Sequence, residues 1–176
     1  MARDTSSCIF CYAYRPCNGY DGGFTVNIFG DGNMVFTTYD SRRAMQQETF
    51  FLLPKGTQQR VLAKIREADA WLAGFPLRMA CKQYPDSVST VGLDGCSLFQ
   101  LEDFHQLLDC PFRSIRGHYA RLMYNLLEDI SAVLSSCGYS LTLESFGWNA
   151  DDPLVRQVNG LQREPKKKSW YERRPG

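Results

Sequence analysis

The sequence predicts an α+β fold: an antiparallel β-sheet of meander strands and hairpins, packed on one face by two main helices and followed by a flexible basic C-terminal tail. Three features carry this. Asp31-Gly32 and Asp94-Gly95 each lie between runs of branched, aromatic and alternating residues, the pattern of a tight hairpin. Residues 57–73 and 114–137 switch to apolar side chains three and four apart, the period of a helix with one buried stripe. Strands grouped in hairpins, instead of alternating with helices, disfavour a doubly wound parallel sheet.

In chain order, residues 8–14 read as the first strand, followed by a turn-rich link containing Asn18-Gly19 and Asp21-Gly22-Gly23. The hairpin at 24–39 comes next. With Asp31 and Gly32 as the two central residues of a type I′ turn, Phe24, Val26 and Ile28 share a face with Tyr39, Thr37 and Val35. Thr25, Asn27 and Phe29 then lie opposite, with Thr38, Phe36 and Met34. Residues 49–53 suit a short strand ended by Pro54. In the helix at 57–73, Val61, Leu62, Ile65, Ala68 and Leu72 form the stripe, Thr57 is a candidate cap, and Gly74 with Pro76 stops the helix.

A strand at 77–82 leads to the second hairpin, 88–101, in which a two-residue Asp94-Gly95 turn sets Leu93 against Cys96 and Val91 against Leu98. Residues 101–108 start helically, Pro111 breaks them, and the main helix at 114–137 carries Ile115, Tyr119, Leu122, Leu126, Ile130, Val133 and Leu134. Gly138 terminates it. Tyr139, Leu141 and Leu143 alternate with polar residues as a last strand, and Asp152-Pro153 opens one more short helix. The expected organisation is one domain over 1–161 and a mobile basic tail over 162–176.

The chain has 176 residues, enough for a hydrophobic core without disulfide or metal staples. Its net charge of +1 supplies no global field for nucleic acid or anionic lipid. The charge is unevenly placed: the last fourteen residues hold six cations and two carboxylates, a net +4. Residues 1–7 are polar and the longest apolar run, 50–53, is far too short to span a bilayer, so a cytoplasmic protein without membrane contact is expected. Seven cysteines, an odd number and mostly isolated, read as reduced thiols rather than a disulfide framework.

Chemistry-bearing patterns are few, and no catalytic residue or cofactor is assigned. Cys8, Cys11 and Cys17 have thiolate spacing that suits zinc or dithiol exchange, making a Cys-dependent metal-binding or redox protein one alternative. A second closely spaced pair is missing, and Cys11 does not open a helix. His105 and His118 are the only histidines, without a nucleophile elbow or oxyanion-stabilising turn nearby. The glycine-rich stretches lack a phosphate-binding lysine or a dinucleotide fingerprint and read as turns. Adjacent carboxylates Glu102-Asp103 and Glu128-Asp129 diverge on a helix and do not converge on one substrate atom.

Two kinds of association remain. Aromatic residues are concentrated in the first hairpin region beyond what one core face absorbs, which makes Phe29, Phe36 and Tyr39 candidates for interaction, and those on the second face would dock a protein partner or a second copy. Arg113 and Arg116 begin the long helix, where cations oppose the helix dipole and suit an acidic partner. Lys166, Lys167, Lys168, Arg173 and Arg174 interleave with Trp170, a combination that contacts phosphates while stacking on bases and makes nucleic-acid binding the other alternative. The leading expectation is a small non-enzymatic binding or accessory protein.

Overall fold

The computed structural model describes residues 7–19, 22–80 and 82–138. The strand expected at 139–144, the helix after Asp152 and the basic tail lie outside the described residues. Within them the fold is α+β. Strands β1 (Cys8–Pro16), β2 (Phe24–Phe29), β3 (Asn33–Tyr39) and β4 (Met45–Leu52) are followed by helices α1 (Thr57–Glu67) and α2 (Asp69–Leu72). Strands β5 (Arg78–Met79), β6 (Ser87–Leu93) and β7 (Phe99–Glu102) and helices α3 (Phe104–Asp109) and α4 (Ile115–Ser136) complete it.

The seven strands form one sheet in the order β4-β3-β2-β1-β6-β7-β5. The sheet is mixed rather than wholly antiparallel: β5, shorter than the strand expected at 77–82, runs parallel to β7 through Arg78↔Gln100 and Met79↔Leu101. All other pairings are antiparallel.

Both hairpins form where the Asp-Gly pairs lie, yet each register differs by one residue from the two-residue turn expected. Ile28 pairs with Met34 and Val26 with Phe36, so the connection is Gly30, Asp31 and Gly32. Gly32 takes the left-handed conformation at φ 89° while Asp31 does not, and the Gly32 N–H donates to the Phe29 carbonyl at 3.0 Å. This is the three-residue solution, in which a left-handed glycine closes the loop as a bulge. The Asp31 carboxylate accepts from the backbone N–H of Asn33 at 3.0 Å and from its side chain at 2.7 Å, which holds the turn and lowers the Asp31 pKa. In the second hairpin only Gly95 has positive φ, and Val91 pairs with Phe99 rather than Leu98.

A one-residue slip exchanges every side chain of a strand between faces. Here Met34, Phe36 and Thr38 join Phe24, Val26 and Ile28 on the first face, together with Phe10, Tyr12, Val91, Phe99 and Leu101. Those apolar residues belong to one buried cluster with Val61 and Ile65 of α1, Leu107 of α3, and Met123, Leu127 and Ile130 of α4. Thr25, Asn27, Phe29, Val35 and Thr37 fall on the second face.

The helix expected at 57–73 is interrupted at Ala68, which separates α1 from α2. Thr57 does not cap it: the cap residue is Gly56, and the Thr57 hydroxyl donates to the Pro54 carbonyl at 2.7 Å. Ser114 does cap α4, its Oγ accepting from the Gly117 N–H at 3.0 Å. The buried stripe of α4 is rotated from the expected one near its start. Ile115 is 75 % exposed, whereas Gly117, Ala120 and Met123 are buried. A Cβ on Gly117 would lie 2.3 Å from the Pro111 carbonyl oxygen, so this close contact with the α3–α4 loop turns that side of the helix inward.

Candidate functional site

The second face of the sheet carries the strongest candidate features, and the pleat decides which residues reach it. Pairings Val35↔Phe50, Asn33↔Leu52 and Thr37↔Glu48 place Phe50, Leu52 and Glu48 of β4 there. Strand β4 is the sheet edge, so one row of its backbone N–H and C=O groups has no strand neighbour among the described residues. Phe50 is 68 % and Leu52 74 % exposed, with half-buried Val35 beside them and Met45 exposed at the strand start. An eight-residue edge strand with Glu48 as its one charged residue departs from the usual protection of such edges by lysine or proline.

Further along the same face lies a pocket of about 270 Å3. Its floor is a row of cross-strand neighbours running over four strands: Thr25 opposite Ala13, Ala13 opposite Thr90, and Thr90 opposite Gln100. Ala13, the smallest of these, makes the depression. Arg15, Tyr39 and Arg43 line it as well, as do Gly22 and Val88.

The β3–β4 corner fixes two of these residues. At β4 the register shifts between Thr38 and Tyr39, so Tyr39 pairs with Met45 and Gln46 is passed over; such a bulge re-aims the side chains around it. The Asp40 carboxylate accepts from the backbone N–H of Arg42 at 2.8 Å and of Ala44 at 2.9 Å, while the Arg43 N–H donates to the Asp40 carbonyl at 2.9 Å. Arg43 is thereby held in the left-handed region at φ 63°, a conformation costly for a residue with a Cβ. Gly22 packs directly on this corner, where a Cβ would fall 1.9 Å from the Tyr39 carbonyl oxygen. The ion pairs among the described residues are Lys64–Glu67, Arg78–Glu102 and the contacts of Lys82 with Asp86 and Asp103, none of which engages Arg15 or Arg43.

Of the association candidates named from the sequence, the structure places Phe29 half-buried on the second face and Tyr39 at the pocket. Phe36 is 2 % exposed in the core, its ring centroid 5.7 Å from that of Phe24, and presents no surface for docking. The reason is the slipped register. Arg113 and Arg116 are exposed at the start of α4 beside Phe112 and Ile115, also exposed, in the helix layer and apart from Phe29 and Tyr39. Lys166, Lys167, Lys168, Trp170, Arg173 and Arg174 lie outside the described residues.

Cys8 and Cys11 share β1, whose register with β2 shifts between Cys8 and Phe10, and Cys8 lies close enough to act electrostatically on Cys11. Burial, with a smaller contribution from Cys8, pushes the Cys11 thiol up to about 11, the reverse of what a reactive thiolate needs. Cys17 is exposed beyond the far end of β1, about 20 Å from Cys11 at 3.3 Å per residue, too far to complete a ligand set with it. Among the described residues no cluster of three or more histidine, cysteine or acidic side chains is arranged to hold a metal ion. His105 and His118 are both exposed, and the His118 ring stands edge-on to Phe112 at 5.5 Å.

Glu102 and Asp103 are buried where β7 meets α3, rather than diverging on a helix. One Asp103 carboxylate oxygen accepts from the N–H groups of Asp86 at 2.8 Å and Ser87 at 3.0 Å; Arg78 Nε donates to Glu102 at 2.6 Å. These bonds anchor the loop before β6 and the parallel strand β5. Among the described residues no helix is long and apolar enough to cross a membrane. Comparison with protein-family models and with curated proteins yields no match.

Proposed function

We propose that this protein is a non-enzymatic binding module that associates with a second copy of itself through edge strand β4 and the adjoining second face. In this reading α1 and α4 cover the first face, and pairing at the edge gives Phe50 and Leu52 of the second face cross-strand neighbours from the other copy. The observation that carries it is the exposure of Phe50 and Leu52, at 68 % and 74 %, on a strand whose outer backbone edge has no strand neighbour among the described residues. The edge is self-compatible. Antiparallel pairing about a two-fold axis through Thr49 would set Glu48 against Phe50 and Gln46 against Leu52, with no like charges opposed. Because such an axis stands perpendicular to the sheet, the second faces of both copies would form one continuous surface. The six cysteines among the described residues are free thiols, which suits a reducing, cytoplasmic setting.

Light scattering across a dilution series tests this. The expected result is twice the chain mass at high concentration, and a return to the chain mass for Phe50→Lys with Leu52→Lys, two changes at exposed positions that leave the core intact. A monomer at every concentration up to about 1 mM, where an association of only about −4 kcal/mol would register, overturns the proposal.

A further inference from the structure

We propose that the pocket over Ala13 binds a small molecule carrying an oxyanion, carboxylate or phosphate, on an apolar body about the size of one aromatic ring. Its size, its lining and the charge state of that lining converge on it. First, the volume of about 270 Å3 corresponds to about nine water molecules at about 30 Å3 each, room for a single ring and a short arm. Second, the pocket combines apolar surface from Ala13 and Val88 with the Tyr39 ring, Thr25 and Thr90 hydroxyls, and the Gln100 amide, the mixture typical of a small-molecule site. Third, two arginines, both exposed, are among its lining residues, and neither forms an ion pair with a carboxylate among the described residues. Arginine presents a fixed fork of donors that matches carboxylate and phosphate geometry, so two of them in one depression select an anion.

The backbone at Arg43 adds to this. A five-residue corner, tied at both ends by Asp40, holds a non-glycine residue at φ 63° at the lip of the pocket. Any side chain could have occupied a relaxed version of this loop. Strain of this kind collects where a side chain has to be presented in one place. The pocket is a separate site from the edge of β4, and ligand binding does not require self-association.

The test is a titration followed by amide chemical shifts, with four probes: 3-phenylpropionate, phenyl phosphate, inorganic phosphate and benzyl alcohol. At least one of the two aryl anions is expected to shift the amides of Ala13, Thr25, Thr90 and Arg43 with a Kd of about 1 mM or tighter. Which of the two binds more tightly distinguishes carboxylate from phosphate as the natural anion. Benzyl alcohol, lacking the charge, and inorganic phosphate, lacking the ring, are each expected to bind at least about tenfold more weakly. Arg15→Gln with Arg43→Gln, both exposed, should weaken the aryl anion by at least about tenfold with unchanged dispersion of the spectrum. Ala13→Leu, which fills the floor, should abolish binding with both charges present; if that variant does not fold, the double arginine variant decides. Phe50→Lys should leave the affinity unchanged, which separates this site from the proposed dimer edge. Absence of shifts with both aryl anions up to about 10 mM, equal binding of inorganic phosphate, or an undiminished affinity in the double arginine variant overturns the proposal.

Discussion

Replacing Phe36 by alanine measures which face of the sheet this residue occupies, and with it the composition of the surface left for association. In the structure Phe36 is 2 % exposed, pairs across strands with Val26 and Thr49, and packs its ring against Phe24 at 5.7 Å. Truncation of a buried phenylalanine loses its transfer free energy and leaves a cavity, a combined cost of about 3–5 kcal/mol. For a chain of 176 residues each kcal/mol lowers the melting temperature by about 2–4 °C, so Phe36→Ala should melt about 6–20 °C below the parent protein. Phe50→Ala removes the same atoms from a side chain that is 68 % exposed and should cost less than about 1 kcal/mol. Val35→Ala, half-buried on the second face, falls between them. Urea denaturation at constant slope, with thermal melting as a check, gives all three values. Had Asp31-Gly32 formed a two-residue turn, Val35 would be in the core and Phe36 outside it. A cost below about 1 kcal/mol for Phe36→Ala, with a larger one for Val35→Ala, would therefore refute the register and the surface built on it.

Other perturbations test the remaining devices. Asp103→Ala strips the acceptor from one buried and one partly buried backbone N–H group and should destabilise by about 2–4 kcal/mol, whereas Asp103→Asn keeps an acceptor in a residue tolerant of its φ of 47° and should cost less than half as much; urea midpoints separate the two. Arg43→Gly removes the left-handed strain but loosens the unfolded chain, so its net effect should stay within about 1 kcal/mol while the Ala44 amide keeps its exchange protection; a larger loss would show that the arginine side chain itself holds the corner. Burial raises the Cys11 thiol above its unfolded value of 9.0 to about 11, so the fold favours the protonated form. That contribution is complete below pH 9 and is lost as pH rises towards about 11; the urea midpoint should fall over this window, and Cys11→Ala should flatten the decline. Tyr12, whose buried hydroxyl lies 3.2 Å from Ser89 Oγ, is also raised and extends the loss to more alkaline pH.

Local patterns in the chain were sufficient for the strands at β1, β2 and β3, both reversals at Asp-Gly, the helical periods of α1 and α4, and the stop at Gly138, because each depends on neighbours within a few residues. The α+β class followed from their order. What those patterns left open was any property that depends on a partner far along the chain. A two-residue and a three-residue reversal share the same Asp-Gly dipeptide, and only packing of Met34 and Phe36 against Val26, Ile28 and the helix layer selects the second. Of the residues named for association, Phe29 lies on the second face as the pattern placed it, whereas the slipped register exchanges the other two, bringing Tyr39 to the second-face pocket and taking Phe36 into the core. Phe50 and Leu52 lie in a stretch whose strand character was visible, while its edge position was not. Ala13 and Arg15 are separated from Thr90 and Gln100 by more than seventy residues and meet them because β6 pairs with β1, a choice of strand order that no local period encodes. Periodicity determines which side chains are able to share a face; long-range pairing, stabilised by the burial of the shared core, decides which of them do.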